Sequence, residues 1–156
     1  MADLVETTAA QVESYLAGFG AAISKVGAGT YFAKKGSTLV GIRVLPWKED
    51  DTVVYVSANV VEGADLTAPE LLVALLEHND QACYGAFGVS PDGMITLHHT
   101  LLGSTLKKEE LVAVVLEIAR VADDWDDRIV SEVGGKTAVA RLQEHVRDKK
   151  ASGTGE

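Results

Sequence analysis

The chain has 156 residues, 47% hydrophobic and 24% charged, which suits one domain around a single sizeable core. Its formal net charge of -9 argues against a nucleic-acid or membrane partner, since both need clustered Lys and Arg, and the one basic cluster is Arg147-Asp-Lys-Lys150. A single cysteine, Cys83, rules out an internal disulfide and fits a reducing, cytoplasmic compartment, with no signal-peptide pattern and no apolar run long enough to cross a bilayer.

The first element predicted is a helix from Thr8 to about Lys25. Thr8 and Gln11 have capping-box spacing, and Val12, Leu16, Phe19, Ile23 and Val26 form one apolar stripe before Gly27-Ala28-Gly29 stops it. From Thr30 the period changes to two. Tyr31–Lys35 reads as a strand, with a tight turn at Gly36-Ser37. In the next strand Val40, Ile42 and Val44 lie on the face opposite Gly41, Arg43 and Leu45. Pro46 then removes a ladder donor, and Glu49-Asp50-Asp51 marks a solvated turn. The third strand, Thr52–Val61, turns Val54, Val56, Ala58 and Val60 inward. Its other face, with Val53, Tyr55 and Val61, is less polar than a water-facing surface should be.

A second helix opens with the capping-box pattern Thr67-Ala-Pro-Glu70, and Leu71, Leu72, Leu75 and Leu76 make it apolar around more than half its circumference. A hairpin turned on Ser90-Pro91-Asp92-Gly93 carries Phe87 and Val89 before it and Ile95 and Leu97 after it. A third helix starts near Lys107, lines up Leu111, Val114, Val115, Ile118, Ala122, Trp125 and Ile129, and ends at Gly134-Gly135. Thr137–Lys149 is expected as a short fourth helix with Val139, Leu142 and Val146 inward, and Ala151–Glu156 as a disordered tail. The implied division is one domain over 1–135, a helical extension over 136–150 and the tail over 151–156.

With the elements in this order the chain resembles the YbjN-like family of bacterial proteins, which shares the fold of the type III secretion chaperones. The resemblance covers roughly residues 8–130 and rests on Val44-Leu45-Pro46, on Leu71–Asn79, on Tyr84–Val89 followed by Asp92-Gly93, and on Leu106–Leu111 running to Asp123. Lys107 stands where a Ser or Thr cap is usual, and the extension after Gly135 lies outside the shared core. The resemblance implies an α+β fold in the order α-β-β-β-α-β-β-α, with a bent antiparallel sheet of about five strands and helices packed against it. It also implies a homodimer without enzymatic activity or cofactor. Such a protein acts as a chaperone-like adaptor or regulator and holds segments of a protein client on apolar surface.

The residues expected to touch a partner are Tyr31, Phe32, Trp47, Val53 and Tyr55, with the client lying on the outward face of the first three strands and on the first helix. By the same resemblance, Leu72, Leu76, Tyr84 and Ala86 are the dimer-interface candidates. The acidic surface predicts basic clients.

Catalytic and metal readings find little support. His98 and His99, adjacent in a strand, point to opposite faces and cannot share a metal; one is expected to be buried and bonded and the other exposed. Cys83 reads as a buried small hydrophobe, and the four carboxylates of Asp123-Asp124-Trp125-Asp126-Asp127 as a solvated face with Trp125 in the core. The alternatives are a small-ligand pocket between the first helix and the sheet, and a metal-dependent protein using His78, His98 or His99.

Overall fold

The computed structural model describes residues 2–36 and 38–152. It contains α1 (Ala2–Leu16), a 3-10 segment (Ala17–Ala22), β1 (Ile23–Gly27), β2 (Thr30–Lys35), β3 (Thr38–Trp47) and β4 (Asp51–Glu62). There follow α2 (Pro69–Gln81), β5 (Ala86–Val89), β6 (Ile95–Leu102), α3 (Lys108–Val133), β7 (Lys136–Thr137) and α4 (Ala138–Ser152). The strands form one antiparallel sheet in the order β1-β2-β3-β4-β6-β5, with β7 paired to β4. The fold is the α+β arrangement that the sequence implied, with two more strands, β1 and β7.

The central strand β4 is 12 residues long and pairs with β3, β6 and β7. Its partner β6 occupies one edge as far as Val61, so β7 takes the edge that β3 leaves free beyond Ala58. One face of the sheet is dry. Val40 and Ile42 of β3, Val54, Val56 and Ala58 of β4, and Ile95 and Leu97 of β6 are at most 1% exposed. They are covered by α1 and by the apolar stripe of α3, in which Leu111, Val114, Ile118 and Ile129 are fully buried.

Several local expectations change. The first helix starts at Ala2, so Thr8 lies within it rather than at its cap; the Thr8 hydroxyl reaches across to Thr52 Oγ1 at 2.8 Å. Gly18 and Gly20 raise the cost of continuing the helix, which tightens into the 3-10 segment. Ile23–Gly27 then pairs with β2 through the two-residue turn Ala28-Gly29, where Gly29 takes the left-handed φ of 63°. Val26, read as part of a helical stripe, is thus 58% exposed on an edge strand. The Thr67 capping box does not form: Thr67 instead bonds Asp65 Oδ1 through both its amide and its hydroxyl, and Ala68 is the N-cap. Pro46 remains within β3, opposite Thr52.

The expected turn at Gly36-Ser37 includes Ser37, which lies outside the described residues. Residues 151–152 of the expected tail belong to α4, and 153–156 lie outside the described residues. Among the described residues no helix is long and apolar enough to cross a membrane.

Candidate functional site

The sheet's second face is where the sequence looked too apolar, and register sorts its residues into three rungs. Thr30, Arg43, Tyr55 and Thr100 are cross-strand neighbours; Phe32, Gly41, Ser57, His98 and Ala86 form the next rung; Leu45, Val53 and Leu102 form the third. Planar groups stack across it. The Arg43 guanidinium lies 5.2 Å from the centre of the Tyr55 ring, and Tyr55 stacks on His98 at 5.4 Å. Phe32 lies beside Gly41, where an added Cβ would stand 3.4 Å from the Phe32 ring. Toward the end of β3, Leu45, Leu102 and Trp47 remain 37%, 45% and 47% exposed. Such exposed apolar area, flanking the buried Val53, marks a contact surface more often than an idle one.

Helix α4 crosses this same face. Gly134 and Gly135, with φ of 77° and 97°, turn the chain out of α3, and the Gly135 backbone sits so close to β4 that a Cβ would be 2.7 Å from the Glu62 carbonyl. Ion pairs of Arg141 with Glu62 and of Lys136 with Glu144 hold the helix start. Between α4 and the sheet lies an open groove of about 650 Å3. Phe32, Leu39, Gly41 and Arg43 line its sheet side, and Val139 and Leu142 its helix side. The expected inward stripe of α4 is therefore corrected: Leu142 is 57% and Val146 47% exposed, because the helix rests on a half-open groove rather than on a core.

Of the partner-contact candidates, Phe32 and Tyr55 lie on this outward face and Trp47 at the end of the same row, while Val53 points the same way but is buried, at 9% exposed. Tyr31 does not. It is 1% exposed on the opposite face, where its hydroxyl donates to the Ala9 carbonyl at 3.0 Å. Nor does α1, which packs on the dry face. Arg43, Leu45, Leu102 and the α4 residues were not singled out. Alternation in β3 had already put Arg43 and Leu45 opposite the core, so that signal was present.

Among the dimer candidates, Leu72 and Leu76 stand exposed on α2 beside Val73, while Leu71 and Leu75 are buried. Tyr84 is half-buried with its ring edge-on to His99, and Ala86 lies on the outward sheet face. The four are spread over a helix, a loop and a strand.

The histidines are dispersed. His78, at the end of α2, packs against the rings of Phe87 and Trp125, and burial holds its pKa below the usual imidazole value, assisted by Arg120. His99 faces the core side and accepts the Gly85 amide at Nδ1, and burial lowers its pKa too. His98 faces the other way as expected, but it is half-buried against Tyr55 rather than exposed. Cys83 is exposed, contrary to its reading as a buried hydrophobe, because it lies in the loop between α2 and β5. Trp125 packs against the core and carries Arg128 over its ring, while burial raises the Asp126 carboxyl. Between α1 and β1–β2 the structure has a pocket of about 290 Å3, bordered by Glu13, Lys25 and Tyr31. Among the described residues, no three His, Cys, Asp or Glu side chains are grouped to hold a metal ion.

Comparison with known proteins supplies the class. The family model described as T3SS (YopN, CesT) and YbjN peptide-binding chaperone 1 matches residues 2–141, and the chain belongs to that family. A chain of the HopA1–SchA chaperone–effector complex has a similar fold, with a TM-score of 0.52 at 10% identity over 80% of this chain and 91% of that one. No curated protein matches at a significant level.

Proposed function

We propose that this protein is a non-enzymatic, chaperone-like adaptor that holds segments of a client protein on the outward face of its sheet. The observation that carries this reading is the exposed apolar side chains Leu39, Leu45, Trp47 and Leu102 on the face that also bears Phe32 and Tyr55, beside a groove roofed by α4. Burying that area in a complex yields ~25 cal/mol per Å2, offset by the cost of ordering the client segment. Family membership supports the peptide-binding part. The exposed Leu72, Val73 and Leu76 on α2 support a homodimer formed through that helix. The single exposed thiol and the acidic balance suit a reducing, cytoplasmic setting.

The test is Trp47→Ala. Because Trp47 is 47% exposed, the variant is expected to keep its thermal midpoint and to lose affinity, at least roughly tenfold, for peptides that the parent protein binds. Unchanged affinity with an intact fold would remove this surface from the binding site.

A further inference from the structure

The acidic net charge predicted basic clients, but the groove is built with the opposite sign. Its lining contains Arg43, Arg141 and His145 and no Asp or Glu. Arg141 is engaged by Glu62. Arg43 is stacked over Tyr55 and makes no ion pair among the described residues. Its guanidinium is thus fixed by a ring, at the border of an apolar groove, with its hydrogen-bonding fork unused by any carboxylate there. The charge of -9 is spread over the whole molecule, and at physiological ionic strength exposed charges beyond ~8 Å are largely screened. Contact chemistry inside the groove therefore outweighs the distant field.

We infer that the groove between α4 and the sheet takes an extended apolar segment bearing a carboxylate, which pairs with Arg43. This rests on the peptide-binding reading above and names the chemistry of the peptide. The segment's apolar side chains would lie against Phe32, Leu39 and Leu142, and its Asp or Glu would meet the Arg43 fork bidentately. The same geometry disfavours a basic segment, whose cation would face the exposed Arg43 guanidinium.

The experiment measures fluorescence anisotropy of labelled dodecapeptides that alternate leucine with serine, two serines being replaced by glutamate, glutamine or lysine. The full-length protein is expected to bind the glutamate peptide several-fold more tightly than the glutamine one, and the lysine one least. Arg43→Gln is expected to remove the preference, costing the glutamate peptide far more affinity than the glutamine peptide. Arg43→Glu is expected to favour the lysine peptide, a gain that misfolding cannot produce. Equal binding of all three peptides, or a preference that survives in Arg43→Gln, overturns the carboxylate pairing and leaves peptide binding standing. If none of the peptides binds, both readings fall.

Discussion

The side-chain amide of Asn79 bonds the backbone of Phe87 twice, donating from Nδ2 to the carbonyl at 3.1 Å and accepting the amide at Oδ1 at 2.7 Å. Phe87 lies in β5, the last strand on its side of the sheet, so the end of α2 imitates the strand that would come next. An unpaired edge is a template for unwanted pairing, and here a helix side chain occupies it. Asn79→Ala should therefore leave two backbone groups unpartnered and cost about 1–3 kcal/mol, read as a lower urea midpoint with an unchanged slope. Asn79→Asp, which keeps only an acceptor, should be destabilised as well.

A second prediction concerns the start of β4. A Cβ on Gly103 would stand 1.9 Å from Thr52 Oγ1 and 3.2 Å from the Thr52 carbonyl, while Thr52 itself is tied to Thr8. Gly103→Ala should cost about 1–3 kcal/mol through overpacking. Thr52→Ala removes the nearest atom, so the double variant should be more stable than the sum of the single effects allows. Strict additivity in chemical denaturation would show that the clash relaxes elsewhere.

A third concerns pH. The imidazoles of His78 and His99 lie below the ordinary value of 6.5, chiefly because burial disfavours the charged ring. The unfolded chain consequently takes up these protons at higher pH than the folded one. Stability is full above about 6.5, falls as the pH drops through that value, and levels off below the folded pKa. Near His78, Arg120 deepens the shift and Glu117 opposes it; near His99, His98 deepens it and Glu110 opposes it. Replacing His78 with Phe should flatten the decline between about pH 7 and pH 5 in urea titrations. Asp51, held low mainly by the Ser104 hydroxyl, acts only in the more acidic carboxylate range.

A fourth addresses assembly. If α2 carries the homodimer contact, Leu76→Lys should place a charge at its most exposed apolar position and yield monomers by light scattering, with the circular dichroism spectrum retained. A variant that keeps the parent's mass would move the contact elsewhere.

The helices and strands that pack on the dry face were legible because burial there enforces periodicity: β3 and α3 follow their patterns. Strand β4 breaks its own at a bulge between Asn59 and Val61 that buries Val61, expected on the outward face, beside Val60. Elements that depend on remote partners were not. Ile23–Gly27 is a strand only because β2 lies beside it, and Lys136-Thr137 only because β4 has a vacant edge there. The site was half legible. Alternation put Tyr55 opposite the core, and the same rule applied to β2 would have separated Phe32 from its buried neighbour Tyr31. That α4 returns to this face depends on Gly134 and Gly135, whose dihedral angles no hydrophobic pattern encodes.

In β3, Val40, Ile42 and Val44 are sealed beneath α1 and α3, while Gly41, Arg43 and Leu45 alternate with them on the open side. Two selective pressures therefore act on one strand without colliding. The even positions are constrained by packing, and the odd ones, on the proposed binding face, are free to drift with the partner. Relatives of this chain should show that divergence with a period of two, old in one register and recent in the other.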